Sequence, residues 1–348
     1  MQIMFVAPGL NTNRGGERVI FAYAKALAKK HDVSIFVPEG TVFMRDESVK
    51  IIEYKSLFSP FWSRQLGYVD VLGKVKQIPS TIDVIIGTYL PQMILPVLYK
   101  LSHPKVKFLM FNQDFSAMFK NRPLRQLMFK IYPKFTDERI SISTFCADEL
   151  EKASGMKSVI IQNGLEDEFK PDGNRSERKN YILWIGSKNK HKGFIDFWKA
   201  MEIVWKKYPD MKLITTEGAF KSNPSSEIIR INGDKALLKK LYKEALMFVC
   251  SSHSEGFGLP ALEAMGCGCP VVTTDTGGSR EYAKNEFNSL VVPAKNPAAL
   301  ADAMSRIIEK PDLRERLSDN GEYTAEGFDW DAAYRKMTDF VESTVVEK

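Results

Sequence analysis

One alternation of pattern, run through twice, constrains this chain more than any other feature. In the first half, short apolar runs at 3–7, 33–37, 84–87, 106–111 and 139–143 are separated by stretches of helical period at 17–30, 91–101 and 144–153. Strands that are apolar along their whole length are buried on both faces, as in a parallel sheet covered by helices. The order strand, helix, strand points the same way, because a parallel neighbour needs a crossover and the usual crossover is a helix. Between residues 164 and 179 the chain turns polar, with Pro171, Asp172, Gly173 and Asn174 in succession, and reads as a linker. The alternation then restarts, with strands at 181–185, 212–216, 228–231, 247–251, 270–273 and 289–292. Helices end near Tyr208 and Ala245, and further helical stretches follow towards the C-terminus. A chain of 348 residues has room for two cores. Two doubly wound, Rossmann-like α/β domains are therefore expected, with ligands beyond the carboxyl ends of the strands.

Composition narrows the function classes. With 44% hydrophobic and 26% charged residues the chain has the balance of an ordinary globular protein. It enters its first strand without a basic n-region, so no signal peptide is expected, and no apolar run is long enough to cross a bilayer. Cys146, Cys250, Cys267 and Cys269 lack the spacing of a disulfide framework, which predicts a cytoplasmic protein. Cys267 and Cys269 have no second pair or nearby histidine to complete a metal site, and read as small buried residues. Charge is uneven: residues 100–135 hold eight Lys and Arg against the single acid Asp114. Met118, Phe119, Leu124, Leu127, Met128, Phe129, Ile131 and Tyr132 are interleaved with them. Two readings stand for this stretch. It meets an anionic membrane surface or a lipid-phosphate acceptor, or it is a helix packed on the sheet with a solvated basic face. Nucleic acid is not expected, since no binding motif accompanies the charge.

The sharpest local motif is Glu-Gly-Phe-Gly-Leu-Pro-Ala-Leu-Glu at 255–263. It follows the strand at 247–251 and runs into a helix-forming segment, so its context is strand, loop, helix start. Gly256 and Gly258 allow the backbone to approach a ligand, and Pro260 suits the first turn of a helix, where its missing N–H costs nothing. The amides of such a turn, with the positive end of the helix dipole, suit a phosphate. Glu263, about one turn in, suits sugar hydroxyls.

This segment resembles the E-x7-E signature of family 4 retaining glycosyltransferases, which have the GT-B fold. Other stretches agree in the same order: Gly15-Gly16-Glu17 after the first strand, Ser-Ile-Ser-Thr at 141–144, Asn163-Gly164, Phe-Lys-Pro at 169–171, Trp-Ile-Gly at 184–186, Lys192-Gly193, and Thr-Asp-Thr-Gly-Gly-Ser-Arg-Glu at 274–281. The resemblance covers almost the whole chain. It implies an acceptor-side domain at 1–165, completed by a crossover helix at 330–348, and a nucleotide-sugar domain at 166–329. It implies a hexosyltransferase acting on a nucleotide diphosphate sugar and a glycan or lipid-linked acceptor. The basic N-terminal stretch adds the expectation of polysaccharide or cell-envelope synthesis and, where it meets lipid, of a cytoplasmic protein peripheral on the inner face of the membrane. No cofactor is expected. Glu263 would bind the donor ribose, Glu255 would lie near the sugar, and the amides of Gly256, Phe257, Gly258 and Leu259 would meet sugar and distal phosphate. Lys192 would neutralise the departing diphosphate, and Gly15-Gly16 would let the phosphates approach, flanked by Arg14 and Arg18.

Three departures from the family pattern stand out. Ser187 occupies the place of an arginine, leaving Lys188 or Lys190 to supply a second cation. The usual histidine after the fourth strand is replaced by Asn112, Gln113 and Asp114, of which Asp114 is the candidate base or else a cap. In retaining enzymes of this family the departing phosphate itself is held to take the acceptor proton. Glu166 stands where an aspartate is usual. His31, His103 and His253 have no metal-ligand spacing and no acidic cluster completes a site, so no metal is expected, and there is no G-x-G-x-x-G nicotinamide fingerprint. A GT-B phosphorylase or epimerase, and a non-catalytic sugar-nucleotide-binding subunit, are the rival readings. Acceptor choice is expected in loops such as 55–77.

Overall fold

The structure is a computed structural model and describes residues 1–346 except 12–13, 56–72, 175, 187–189, 216–224, 230 and 232. Most of the acceptor loop at 55–77 therefore lies outside the described residues. The chain forms two compact units, one of Met1–Asn163 with Asp331–Lys348 and one of Gly164–Trp330.

The first unit runs β1 (Gln2–Val6), α1 (Gly15–Ala28), β2 (Asp32–Pro38), β3 (Val49–Tyr54), β4 (Val84–Gly87), α2 (Ile94–Ser102), β5 (Lys107–Asn112), α3 (Pro123–Ile131), β6 (Glu138–Ser141), α4 (Thr144–Ser154) and β7 (Val159–Ile160). All its strands pair in parallel, in the order β3-β2-β1-β4-β5-β6-β7. The order reverses between β1 and β4, so the chains leaving these neighbours pass to opposite faces of the sheet. Central strands such as β1, apolar from Ile3 to Val6, are buried on both faces. The sequence pattern missed β3 and β7. β3 is an edge strand whose Lys50 and Glu53 interrupt its apolar run, and β7 is a two-residue strand with both side chains exposed. The helix expected at 91–101 begins instead as a 3-10 turn, Leu90–Met93, before α2.

The second unit runs β8 (Lys179–Trp184), α5 (Phe194–Lys207), β9 (Lys212–Thr215), β10 (Ser226–Ile228), α6 (Lys235–Glu244), β11 (Ala245–Cys250), α7 (Leu259–Gly266), β12 (Val271–Thr274), β13 (Leu290–Val292), α8 (Pro297–Glu309) and α9 (Pro311–Glu326). Its sheet is again parallel, ordered β10-β9-β8-β11-β12-β13, with its reversal between β8 and β11. Trp184, Phe197, Met201, Met247 and Val272 belong to its core, with Trp184 and Phe197 stacked at 5.2 Å. Helix starts use local side chains: Asp234 accepts from the Leu237 amide at α6, and Asn296 from Ala299 at α8.

The last helix, α10 (Trp330–Val346), returns to the first unit, where Tyr334 packs edge-on against Tyr23 of α1 at 6.0 Å. The two places where the chain passes between units lie side by side. Leu165 bridges Asp329 in parallel, and its amide donates to the Phe328 carbonyl at 2.8 Å. Gly164 packs so closely here that a Cβ would sit 2.4 Å from the Trp330 nitrogen.

That contact is with backbone and cannot be relieved by a rotamer change. Gly164→Ala should therefore destabilise the protein by about 1–3 kcal/mol. Gly321, inside α9, has only ordinary contacts at 3.4 Å and beyond, so Gly321→Ala should stabilise by about 0.5–1 kcal/mol. Thermal denaturation of the two variants, with shifts of opposite sign, checks both.

Candidate functional site

In the second unit the reversal of strand order sets the site. The chain leaving β8 and the chain leaving β11 diverge from neighbouring strands, and the crevice between them collects the side chains that the sequence singled out. After β8 come Gly186, a segment outside the described residues that contains Ser187 and Lys188, and a 3-10 turn, Lys190–Lys192. After β11 come Ser251, Ser252, His253 and Glu255. Lys192 Nζ donates to Glu255 Oε1 at 2.7 Å, and Ser252 Oγ donates to the same oxygen at 2.6 Å.

The two loops are tied together below that ion pair. Trp184 Nε1 donates to Ser251 Oγ at 2.9 Å, and Ser251 Oγ donates to the Lys192 carbonyl at 2.9 Å. The His253 amide donates to the His191 carbonyl at 2.6 Å, while its ring meets Asp196 in the first turn of α5 at 2.5 Å. Gly193 has a left-handed φ of 65°, and a Cβ there would lie 1.8 Å from the Ser251 carbonyl oxygen. Only glycine permits this approach. Burial works against the Lys192 ammonium, but Glu255 outweighs it and lifts the pKa above the ordinary lysine value. Burial likewise pushes the Glu255 carboxyl up, and Lys192 with Ser252 brings it below the usual carboxylate range. Both groups are ionised at neutral pH.

Beyond Glu255 the chain passes beside the segment after β12. The Glu255 amide donates to the Thr276 carbonyl at 3.0 Å, and the Gly278 amide donates to the Glu255 carbonyl at 3.0 Å. Gly258, in the left-handed region at φ 90°, precedes α7 and gives it no side-chain cap. The Tyr282 hydroxyl donates to the Gly258 carbonyl at 2.6 Å, and Phe257 is buried against Tyr282 and Phe328. Leu259 is the first residue of α7. Glu263, one turn in and 3% exposed, accepts from the Tyr242 hydroxyl at 3.2 Å. The result is a cation, a carboxylate and an uncapped helix start in one crevice, an arrangement suited to a phosphate carrying a hydroxylated group. Ser252, Tyr242, Tyr282 and the His253–Asp196 pair escaped the sequence reading, since nothing in their local pattern marks them.

The first unit's candidates lie at its own switch point and the next strand end. Gly15 and Gly16 open α1, and Gln113 Nε2 donates to the Gly16 carbonyl at 3.2 Å. Arg14, a phosphate candidate, is paired with buried Glu17 at 3.1 Å, and Glu17 also accepts from the Asn11 amide at 2.7 Å. Asp114 follows β5, with its amide donating to Asn112 Oδ1 at 3.1 Å. Its carboxyl is buried, which pushes its pKa to about 7 against the opposing pull of Arg125. Arg125 is a correction to the basic surface read from the sequence. It is 6% exposed and donates to the Tyr89 hydroxyl at 3.3 Å. Phe119, Met128, Phe129 and Tyr132 are buried as well, because these side chains form the inner face of α3 and its flanks. Among the described residues, no three His, Cys, Asp or Glu side chains converge as a metal site, and no helix is long and apolar enough to cross a membrane.

Solved structures share this architecture over the whole chain. A sucrose-phosphate synthase from Thermosynechococcus elongatus superposes with a TM-score of 0.83 at 17% identity, covering 100% of both chains. HepE of Anabaena, solved with UDP-glucose, gives 0.76 at 15% identity, covering 99% of this chain and 100% of that one. The fold is GT-B, two Rossmann-like domains in one chain. In sequence, residues 13–169 match the model of Glycosyltransferase Family 4, and residues 166–324 match that of Glycosyl transferases group 1. An uncharacterized glycosyltransferase of Methanocaldococcus jannaschii is 28% identical over 67% of this chain and 66% of its own length. A D-inositol 3-phosphate glycosyltransferase of Frankia alni is 42% identical, but over 27% of this chain and 23% of that protein. Together the two models match residues 13–324, and along that length the chain is similar to GT-B, family 4-like glycosyltransferases.

Asp114 yields a pH prediction. The folded protein holds this proton up to about pH 7, whereas the unfolded chain releases it near 3.8. The folded state therefore binds more protons across that window, and this group's contribution to stability falls as pH rises through it. Carboxyl NMR of Asp114 should show a midpoint near 7, and removing the cation in Arg125→Met should raise it further. A midpoint in the ordinary carboxylate range would refute the buried environment.

Proposed function

We propose that this chain is a retaining, metal-independent glycosyltransferase that moves a hexose-type sugar from a nucleotide diphosphate sugar to a glycan or lipid-linked acceptor. The observation that carries the reading is the Lys192–Glu255 pair beside the uncapped start of α7, at the switch point of the second sheet. Breaking the bond between sugar and diphosphate builds negative charge on the distal phosphate. A fixed ammonium and helix amides aimed at that charge stabilise it most in the transition state. In this reading Lys192 supplies the ammonium, with Lys188 or Lys190 as the second cation. Glu255 holds Lys192 ionised and faces the sugar. Gly256, Phe257, Gly258 and Leu259 bring their backbone to the sugar and phosphate. Glu263, oriented by Tyr242, takes the ribose hydroxyls, and the Gly15-Gly16 loop keeps the role the family resemblance implies, a backbone that phosphates can approach. Asp114, titrating near neutrality, is the proton-holding group there, although a departing phosphate can take the acceptor proton itself. The HepE complexes with UDP and UDP-glucose support a uridine donor as the first to test.

Two measurements test this reading. Glu263→Ala should weaken binding of a free nucleoside diphosphate by roughly 1–3 kcal/mol, as expected for a lost charge-assisted hydrogen bond. Lys192→Ala should reduce kcat more than it weakens donor binding. Unchanged nucleotide affinity in a folded Glu263 variant would remove Glu263 from the site. A kcat close to wild type without Lys192 would reassign the cation.

The stereochemical outcome is checked separately, by NMR of product formed in excess chelator. Retention at undiminished rate is expected. An inverted linkage, or activity lost to chelator and restored by magnesium or manganese, would overturn the mechanism. Turnover without an acceptor, by phosphate-dependent cleavage or by isomerisation, would favour a phosphorylase or epimerase. Binding of nucleotide sugar with no turnover at all would indicate a non-catalytic subunit.

A further inference from the structure

Helix α3 (Pro123–Ile131) is amphipathic with an unusual division of its faces. Its inner face carries Arg125, Met128 and Phe129 into the first unit, while its outer face presents Leu124, Leu127 and Ile131 at 44%, 51% and 36% exposure. The spacing i, i+3, i+7 sets these three on one stripe of the helix. Exposed Met118 precedes the helix and exposed Phe135 follows it. A lone exposed leucine needs no explanation, but apolar residues gathered along one segment mark a surface that is covered in use. Lys120, Arg122, Lys130 and Lys134 are all exposed around that stripe. Between Asp114 and Asp137 the sequence contains no acid. The carboxylate of Glu149, from α4, reaches this segment only at its start, where it accepts from the Ser116 amide at 3.1 Å. The segment's own charges are of one sign and match a continuous anionic surface, and the apolar stripe matches the acyl boundary beneath it.

We infer that this face seats the first unit on an anionic lipid bilayer, with Leu124, Leu127 and Ile131 entering the interface and Lys120, Arg122, Lys130 and Lys134 meeting the lipid phosphates. At nine residues the helix is about 13 Å long and lies in the plane of the interface. The inference does not rest on the reading of the donor site, because vesicle binding requires no sugar nucleotide.

The test is co-sedimentation of the full chain with vesicles of phosphatidylcholine alone or mixed with phosphatidylglycerol. Two variants accompany the wild type: Leu124→Ser with Leu127→Ser and Ile131→Ser, and Lys120→Gln with Arg122→Gln, Lys130→Gln and Lys134→Gln. All seven side chains are exposed, so melting temperatures close to wild type confirm folding. Binding should require phosphatidylglycerol and weaken as salt rises. It should fall about fivefold for each charge removed and be lost in the serine variant. No binding of wild type to anionic vesicles would overturn the inference. So would full binding by the serine variant, which would indicate a site for soluble polyanions. Dimerisation abolished by the serine substitutions, with no vesicle binding, would assign the stripe to a second copy of the chain and equally overturn it.

Discussion

Lys192 and Glu255 are 63 residues apart in sequence and 2.7 Å apart in space, and the organisation of the second unit depends on how that distance is closed. The cause is the order of the sheet. β8 and β11 are neighbours although α5, β9, β10 and α6 lie between them in the chain. Their carboxyl ends emerge side by side, and the loops that follow diverge to opposite faces. The opening left between them is where a charged pair can be partly removed from water and still reached by a ligand. Each member of the pair would resist burial alone, and together they remain ionised because each supplies the other's counter-charge.

Around that pair the backbone is positioned by contacts that tolerate little change. Trp184, buried at the carboxyl end of central strand β8, reaches through Ser251 to the Lys192 carbonyl, so the core of the unit sets the height of the lysine loop. Gly193 lies against the Ser251 carbonyl, and Gly278 against that of Gly256, each at a distance no side chain would allow. Rigid support of this kind suits electrostatic stabilisation, which is most effective when charges and dipoles need not reorganise as the reaction proceeds.

The first unit uses buried charge differently. Asp114 and Arg125 sit below its surface, and Glu17 is buried at the loop that opens α1, between the Asn11 amide and the Arg14 guanidinium. Burial raises both carboxyls above their ordinary values, opposed in each case by the neighbouring arginine. The same packing that takes Arg125 inside turns Leu124 and Leu127 outward, so one helix contributes both an internal charge and an exposed apolar stripe.

Much of this was legible in the residues. Central strands of a parallel sheet are apolar on both faces, so their runs stand out, and those expected at 3–7, 33–37 and 84–87 are observed within a residue or so at β1, β2 and β4. The glycine, proline and glutamate order at 255–263 is local, and so was the strand, loop and helix start around it. β3, β7 and the 3-10 start before α2 were not legible, because edge strands and single turns bury too little to leave a periodic signature. Composition could count eight basic side chains between 100 and 135 but could not show that Arg125 points inward, since burial depends on what α3 packs against. By itself the sequence determined the class of fold and the local motif, because hydrophobic period and turn chemistry act over a few residues. Only the tertiary structure decided that Lys192 meets Glu255, that Tyr242 meets Glu263 and that Tyr282 meets Gly258. Those meetings follow from which strands are neighbours, and strand order is set by the packing of the whole sheet.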